Sequence, residues 1–128
     1  MARRESIHIA GFERGNPIPV AARIGPLLFS GSLTGRDART GAMPESIDEQ
    51  CENVFAVVRE LMSAAGGTTG DILKMTFHLV DYRDRKALNR EWLRHFPDPE
   101  SRPVRQVIAA HLDGGAVIHC DLVAVIDQ

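Results

Sequence analysis

The stretch from Ser101 to Ile126, SRPVRQVIAAHLDGGAVIHCDLVAVI, constrains the fold of this chain most tightly. It holds two runs of alternating character joined by a glycine-bearing turn, the pattern of paired strands. In the second run Ala116, Ile118, Cys120, Leu122, Ala124 and Ile126 occupy every even position and are all apolar. The odd positions, Val117, His119, Asp121, Val123 and Val125, set two polar groups among valines. Side chains alternate across a strand, so one face is core and the other is apolar with a polar interruption. The first run divides similarly. Val104, Ile108, Ala110 and Leu112 share one face with Gln106, and Arg105, Val107, Ala109 and His111 share the other.

The turn sets the expected register. A two-residue loop, Asp113-Gly114, would oppose Arg105 to Leu122 and mix the faces. A three-residue loop, Asp113-Gly114-Gly115, pairs Leu112 with Ala116 and keeps them matched. In that hairpin Val107 lies opposite Asp121, and Arg105 is one diagonal step away, ~7–8 Å. A guanidinium and a carboxylate are thus expected on one otherwise apolar surface. Charges in such a place are costly without purpose, which marks Arg105 and Asp121 as a candidate functional pair.

A chain of 128 residues with 44% hydrophobic and 25% charged content fits one globular domain, residues 1–128. The net charge of −2 gives no general attraction to nucleic acid. No run approaches ~18 apolar residues, and the basic start is not followed by one, so neither a membrane span nor a secretory signal is expected. Cys51 and Cys120 fall on apolar faces and are expected as buried free thiols, consistent with a reducing cytoplasm.

The remaining pattern predicts short strands over 5–10, 20–24 and 27–30, with a loop over 13–19 and a surface excursion over 32–46. Ser46-Ile47-Asp48-Glu49 has the form of a capping box, and Cys51, Val54, Phe55, Val58, Leu61 and Met62 follow at helical spacing. A strand is expected over 71–82, and Ala87, Leu88, Trp92 and Leu93 mark a second amphipathic helix. The order β-β-β-α-β-α-β-β suggests an α+β fold, a single sheet with two helices on one face. The opposite face, expected to carry Arg105, Val107, Val123 and Val125, is too apolar for open water. Self-association would cover it.

These residues resemble the Rid family, the reactive intermediate deaminases also called YjgF or L-PSP proteins. The resemblance rests on Leu27-Leu28-Phe29-Ser30-Gly31, Glu49-Gln50, Leu61 through Gly66, Asp71 through Asp81, Asn89, Phe96, Pro103-Val104-Arg105 and the closing strand. It spans Asn16 to Ile126. It implies a chorismate-mutase-like domain, a homotrimer around a central β-barrel, and clefts between subunits. It implies that Arg105 grips the carboxylate of a 2-imino acid. The family's water-holding glutamate would correspond to Asp121, one methylene shorter. Ser30, Gly31 and Asn89 match cleft positions. A family tyrosine falls at Ile18, and a family cysteine falls at Val107, whose N–H would still face the carboxylate. His119 is a candidate substrate contact. The implied activity is hydrolysis of imines or enamines derived from amino acids, without metal or organic cofactor.

The alternative is a module that binds small carboxylic acids in the same cleft without turnover. A ribonuclease role finds no basic stripe and no acid–base histidine pair suited to RNA. A metal held by His111, His119 and Asp121 is a minor reading beside plain hydrogen-bonded histidines.

Overall fold

The computed structural model of the protein describes residues 3–12 and 17–127. Residues 13–16 of the expected early loop lie outside the described residues. The strands are β1 (Glu5–Ile7), β2 (Ala21–Ile24), β3 (Leu27–Ser30), β4 (Leu33–Thr34), β5 (Ile72–Leu79), β6 (Val104–Ala109) and β7 (Ile118–Val125). The helices are α1 (Ile47–Ala64) and α2 (Arg85–His95). One sheet runs β1-β2-β3-β7-β5-β6, and β4 also pairs with β7. Strand β4 is the one element the sequence reading placed in a loop.

Ser46 caps α1, its hydroxyl accepting the Glu49 N–H at 3.0 Å. The return bond of a full capping box is not formed among the described residues. The helix buries the expected stripe from Cys51 to Met62. It ends where Gly66 takes φ +85°, the left-handed conformation that favours glycine, and the Gly67 N–H closes on the Met62 carbonyl at 2.8 Å. Both helices lie on one face. Phe77 of β5 stacks on Phe55 of α1 (5.8 Å) and meets Trp92 of α2 edge-on (6.1 Å).

The expected hairpin does not form. The Asp113-Gly114-Gly115 turn is present, with the Ala116 N–H on the Asp113 carbonyl and both glycines at positive φ. Yet β6 and β7 are not neighbours, because β5 lies between them, parallel to β6 and antiparallel to β7. Met75, Phe77 and Leu79 of β5 are fully buried, so this strand gains from a neighbour on each side. Helix α2 supplies the crossover a parallel pair requires. Residues 110–117 carry the chain over the end of β5, held by Ala110 N–H to Leu79 O and Val80 N–H to Val117 O.

This topology also corrects the expected shared face. Arg105 pairs with Met75 and Val107 with Phe77, so both project to the helix side. Asp121 pairs with Thr76 and His119 with His78, so both project to the open side. Alternation reveals which residues share a side within one strand. It does not reveal which strand lies alongside.

The uncovered apolar face exists with a different membership. Ile24, Leu27, Phe29 and Val125 are exposed and laterally continuous, through the pairs Ile24–Leu27, Leu27–Val125 and Phe29–Val123. Among the described residues no helix is long and apolar enough to cross a membrane.

Candidate functional site

The first group of candidate residues gathers at the edge strand β6. Arg105 is half-buried, with its Cζ 5.1 Å from the centre of the Trp92 ring. Its Nη1 is buried and has no hydrogen-bond partner among the described residues. Among the described residues no carboxylate lies within ion-pair distance of it; the ion pairs present are Arg39–Asp37, Arg83–Asp81, Arg90–Asp48 and Arg94–Glu91. Burial, then the nearby Arg85 cation, lowers the pKa of Arg105, and Tyr82 opposes the shift. Arg85 itself lies over the Tyr82 ring at 4.0 Å. The result is two cations flanked by aromatic faces, one of them with an unused donor. Such a guanidinium is suited to a planar anion.

Asn89 is exposed on α2, one turn from Arg85 and one turn from Trp92, so the three share a helix stripe. Val107 follows Arg105 on the same side of β6. As an edge strand, β6 leaves part of its backbone unpaired.

The second group gathers around the β3–β4 segment. Ile18 is exposed and lines a cavity of about 320 Å³ with Phe12, Gly31, Ser32 and Thr34. The Gly31 N–H donates to the Val20 carbonyl at 2.9 Å. The Ser30 hydroxyl is already engaged. It accepts the Leu122 N–H at 2.9 Å and donates to the Gly31 carbonyl at 2.8 Å, pinning β3 to β7.

Thr34 pairs with His119 across β4 and β7, and His119 pairs with His78 across β7 and β5. The two imidazoles meet edge to face at 4.7 Å. Burial lowers the pKa of His119, His78 adds to the effect, and Asp121 opposes it. His119 lines a second cavity, about 340 Å³, with Ser32, Thr34, Arg36 and His111. Asp121 is half-buried one step along the same side and lines neither cavity. Among the described residues no three His, Cys, Asp or Glu side chains converge on a metal-sized site.

The two groups do not meet within one chain. Asp121 and Arg105 are separated by the width of β5, and they project to opposite faces of the sheet.

Sequence reasoning missed several members. Gln50 is fully buried, donating to the Pro44 and Gly115 carbonyls and accepting the Val117 N–H. It fastens the crossover loop to α1. Gly35 packs against its backbone so closely that a Cβ would stand 2.5 Å from the Gln50 carbonyl oxygen. The signal was available: Gln50, Val54, Val57 and Leu61 recur at helical spacing, so a glutamine sits on an apolar stripe. Trp92, read as core, is core and also the floor beneath Arg105.

Known proteins share this fold. The sequence model of the family described as Endoribonuclease L-PSP matches residues 19–126. Reactive Intermediate Deaminase A, chloroplastic, of Arabidopsis thaliana is 30% identical over 106 residues, covering 81% of this chain and 57% of that protein. This chain thus spans little more than half of that relative. A RutC family protein of Aquifex aeolicus is 28% identical over 115 residues, covering 85% of this chain and 92% of its own. Among solved structures, RidA from an Antarctic Psychrobacter superposes with TM-score 0.88 at 23% identity, covering 95% and 99% of the two chains. E. coli TdcF with bound serine superposes with TM-score 0.86 at 22% identity, covering 94% and 98%. Likeness at that identity speaks for the fold. With the family match over most of its length, the chain belongs to the L-PSP family, the Rid or YjgF proteins.

Proposed function

We propose that the protein is a hydrolytic deaminase of small 2-imino or enamine acids, releasing a 2-oxo acid and ammonia at a cleft between copies of the chain. The observation that carries this reading is the half-buried Arg105 guanidinium, with a buried Nη1 that has no partner and no carboxylate beside it. A cation held over an aromatic ring without a counterion costs stability unless an incoming anion completes it. A substrate carboxylate does so, with the Val107 N–H alongside. The serine held by TdcF is a small carboxylate of the kind such a cleft would take.

Arg105 and Asp121 of one chain face opposite ways, so a shared cleft takes Arg105 from one copy and Asp121 from the next. The exposed apolar face of Ile24, Leu27, Phe29 and Val125 supports such an assembly, as a homotrimer closing its sheets into a central barrel. Asp121 would hold the attacking water. Ile18 and Gly31 would bound the substrate's other end, with Ser30 fixing the loop and Asn89 closing the Arg105 side.

The test generates an imino acid with an amino-acid oxidase and follows its disappearance. Acceleration over buffer is expected. Arg105→Ala should lower it at least ~10²-fold, the loss of two charge-assisted hydrogen bonds. No acceleration by a folded oligomer rejects the reading. Refolding a mixture of Arg105→Ala and Asp121→Asn chains should regain activity, because some clefts then receive both intact residues.

The non-catalytic alternative draws on two observations: Ile18 offers no hydroxyl, and Ser30 has spent its own. Thermal stabilisation by 2-oxo acids without any turnover would favour it.

A further inference from the structure

We infer that His119, not Asp121, takes the proton from the attacking water, with Asp121 as its charge partner. This inference rests on the deaminase reading above and assigns one step within it.

Position comes first. His119 is the centre of a lateral row on the open face, Thr34 of β4, His119 of β7 and His78 of β5. Both flanking residues carry a buried polar atom without a partner, Thr34 Oγ1 and His78 Nδ1. Two orphaned atoms on either side of one half-buried imidazole mark a place where a water or a polar ligand completes the hydrogen bonding. His119 opens onto the cavity that Ser32 and Thr34 share with the Ile18–Gly31 side. Asp121 lines neither cavity.

The electrostatics agree with the geometry. From β5, His78 and Thr76 face this row; from β4, Thr34; across the cavity, Arg36, His111 and Asp113; along its own strand, Asp121. Burial and His78 favour the neutral ring, which is the form that accepts a proton. The Asp121 carboxylate favours the cation once formed. The edge-to-face contact with His78 restrains the plane of the ring.

The step balances simply. Water adds its oxygen to the C=N carbon, the C–N π pair moves to nitrogen, and one water proton passes to His119. His119 returns that proton to the nitrogen, giving the neutral carbinolamine, which collapses as its hydroxyl proton passes by way of His119 to the departing nitrogen. The C–N bond breaks, the C=O forms, and ammonia leaves. No oxidant or reductant is needed.

The experiment is a pH–kcat profile of wild type, His119→Gln and His78→Phe. Wild type should gain rate as pH rises through a group below the ordinary imidazole value. His119→Gln should lose that limb and about 10²–10⁴ in kcat with KM little changed, the usual range for general base catalysis. His78→Phe should keep the limb and move it upward. Should His119→Gln not fold, His119→Ala with added imidazole serves instead, and rescue should track the neutral imidazole concentration. A His119→Gln enzyme with unchanged kcat and limb, beside an inactive Arg105→Ala, overturns this inference and leaves the deaminase reading standing. Wild type without acceleration overturns both.

Discussion

Phe77 and Phe29 stand in the same sheet and face opposite ways. Phe77 is fully buried between α1 and α2, while Phe29 is 53% exposed on the side that no element of the described residues covers. The helix side is complete within one chain. Its aromatic rings touch and its apolar stripe is closed, and among the described residues its loose ends are guanidinium donors, Arg23 Nη2 and Arg105 Nη1. The open side is unfinished, with an apolar patch and a row of polar atoms lacking partners. The lesson is that one side of this sheet makes the domain stable, and the other invites company. The candidate chemistry is divided between them.

Substitutions on the two sides should separate these roles. The largest effect is expected at Phe77. Phe77→Ala should cost about 3–5 kcal/mol, enough to threaten the fold, read as a shift in the denaturant midpoint. Phe29→Glu should leave the circular dichroism of the domain intact yet convert the proposed assembly to monomers by light scattering, because a charge there cannot be buried unpaired. An intact oligomer would break the comparison by showing that this face meets water alone. A smaller loss, about 1 kcal/mol, is expected for Ser46→Ala, which removes the cap of α1 and touches neither face. The smallest effect concerns the thiols. Burial pushes Cys51 up to about 12 and Cys120 higher still, so both remain protonated at neutral pH. Neither should react with a disulfide reagent until the protein unfolds, and early labelling of Cys120 would show the helix side opening on its own.

Much of this was legible in the residues. The alternation of Ile118 through Val125 identified which side chains of β7 enter the core, and all of Ile118, Cys120, Leu122 and Ala124 do. The spacing from Cys51 to Met62 located α1, and Ser46 its start. Neighbour relations were not legible. A strand pattern carries no label for the strand beside it, and the turn at Gly114 looks the same whether it joins neighbours or spans a third strand. That single ambiguity moved Arg105 and Val107 from one side to the other. The polar row was partly hidden for the same reason, since His78 and His119 belong to distant segments. Thr34 lay in a stretch whose glycines, threonines and aspartate concealed a two-residue strand.

The insertion of β5 between β6 and β7 carries a consequence for how the chain comes to be folded. Strand β5 is made early and its two neighbours late, so Met75, Phe77 and Leu79 have no lateral partner until residues 104–125 exist. Contacts of such sequence separation slow folding, and a naked apolar strand is prone to pair with the wrong edge while it waits. During synthesis on the ribosome, α1 and α2 are the elements able to shelter it, which gives the two helices a guardian's task before they have a structural one.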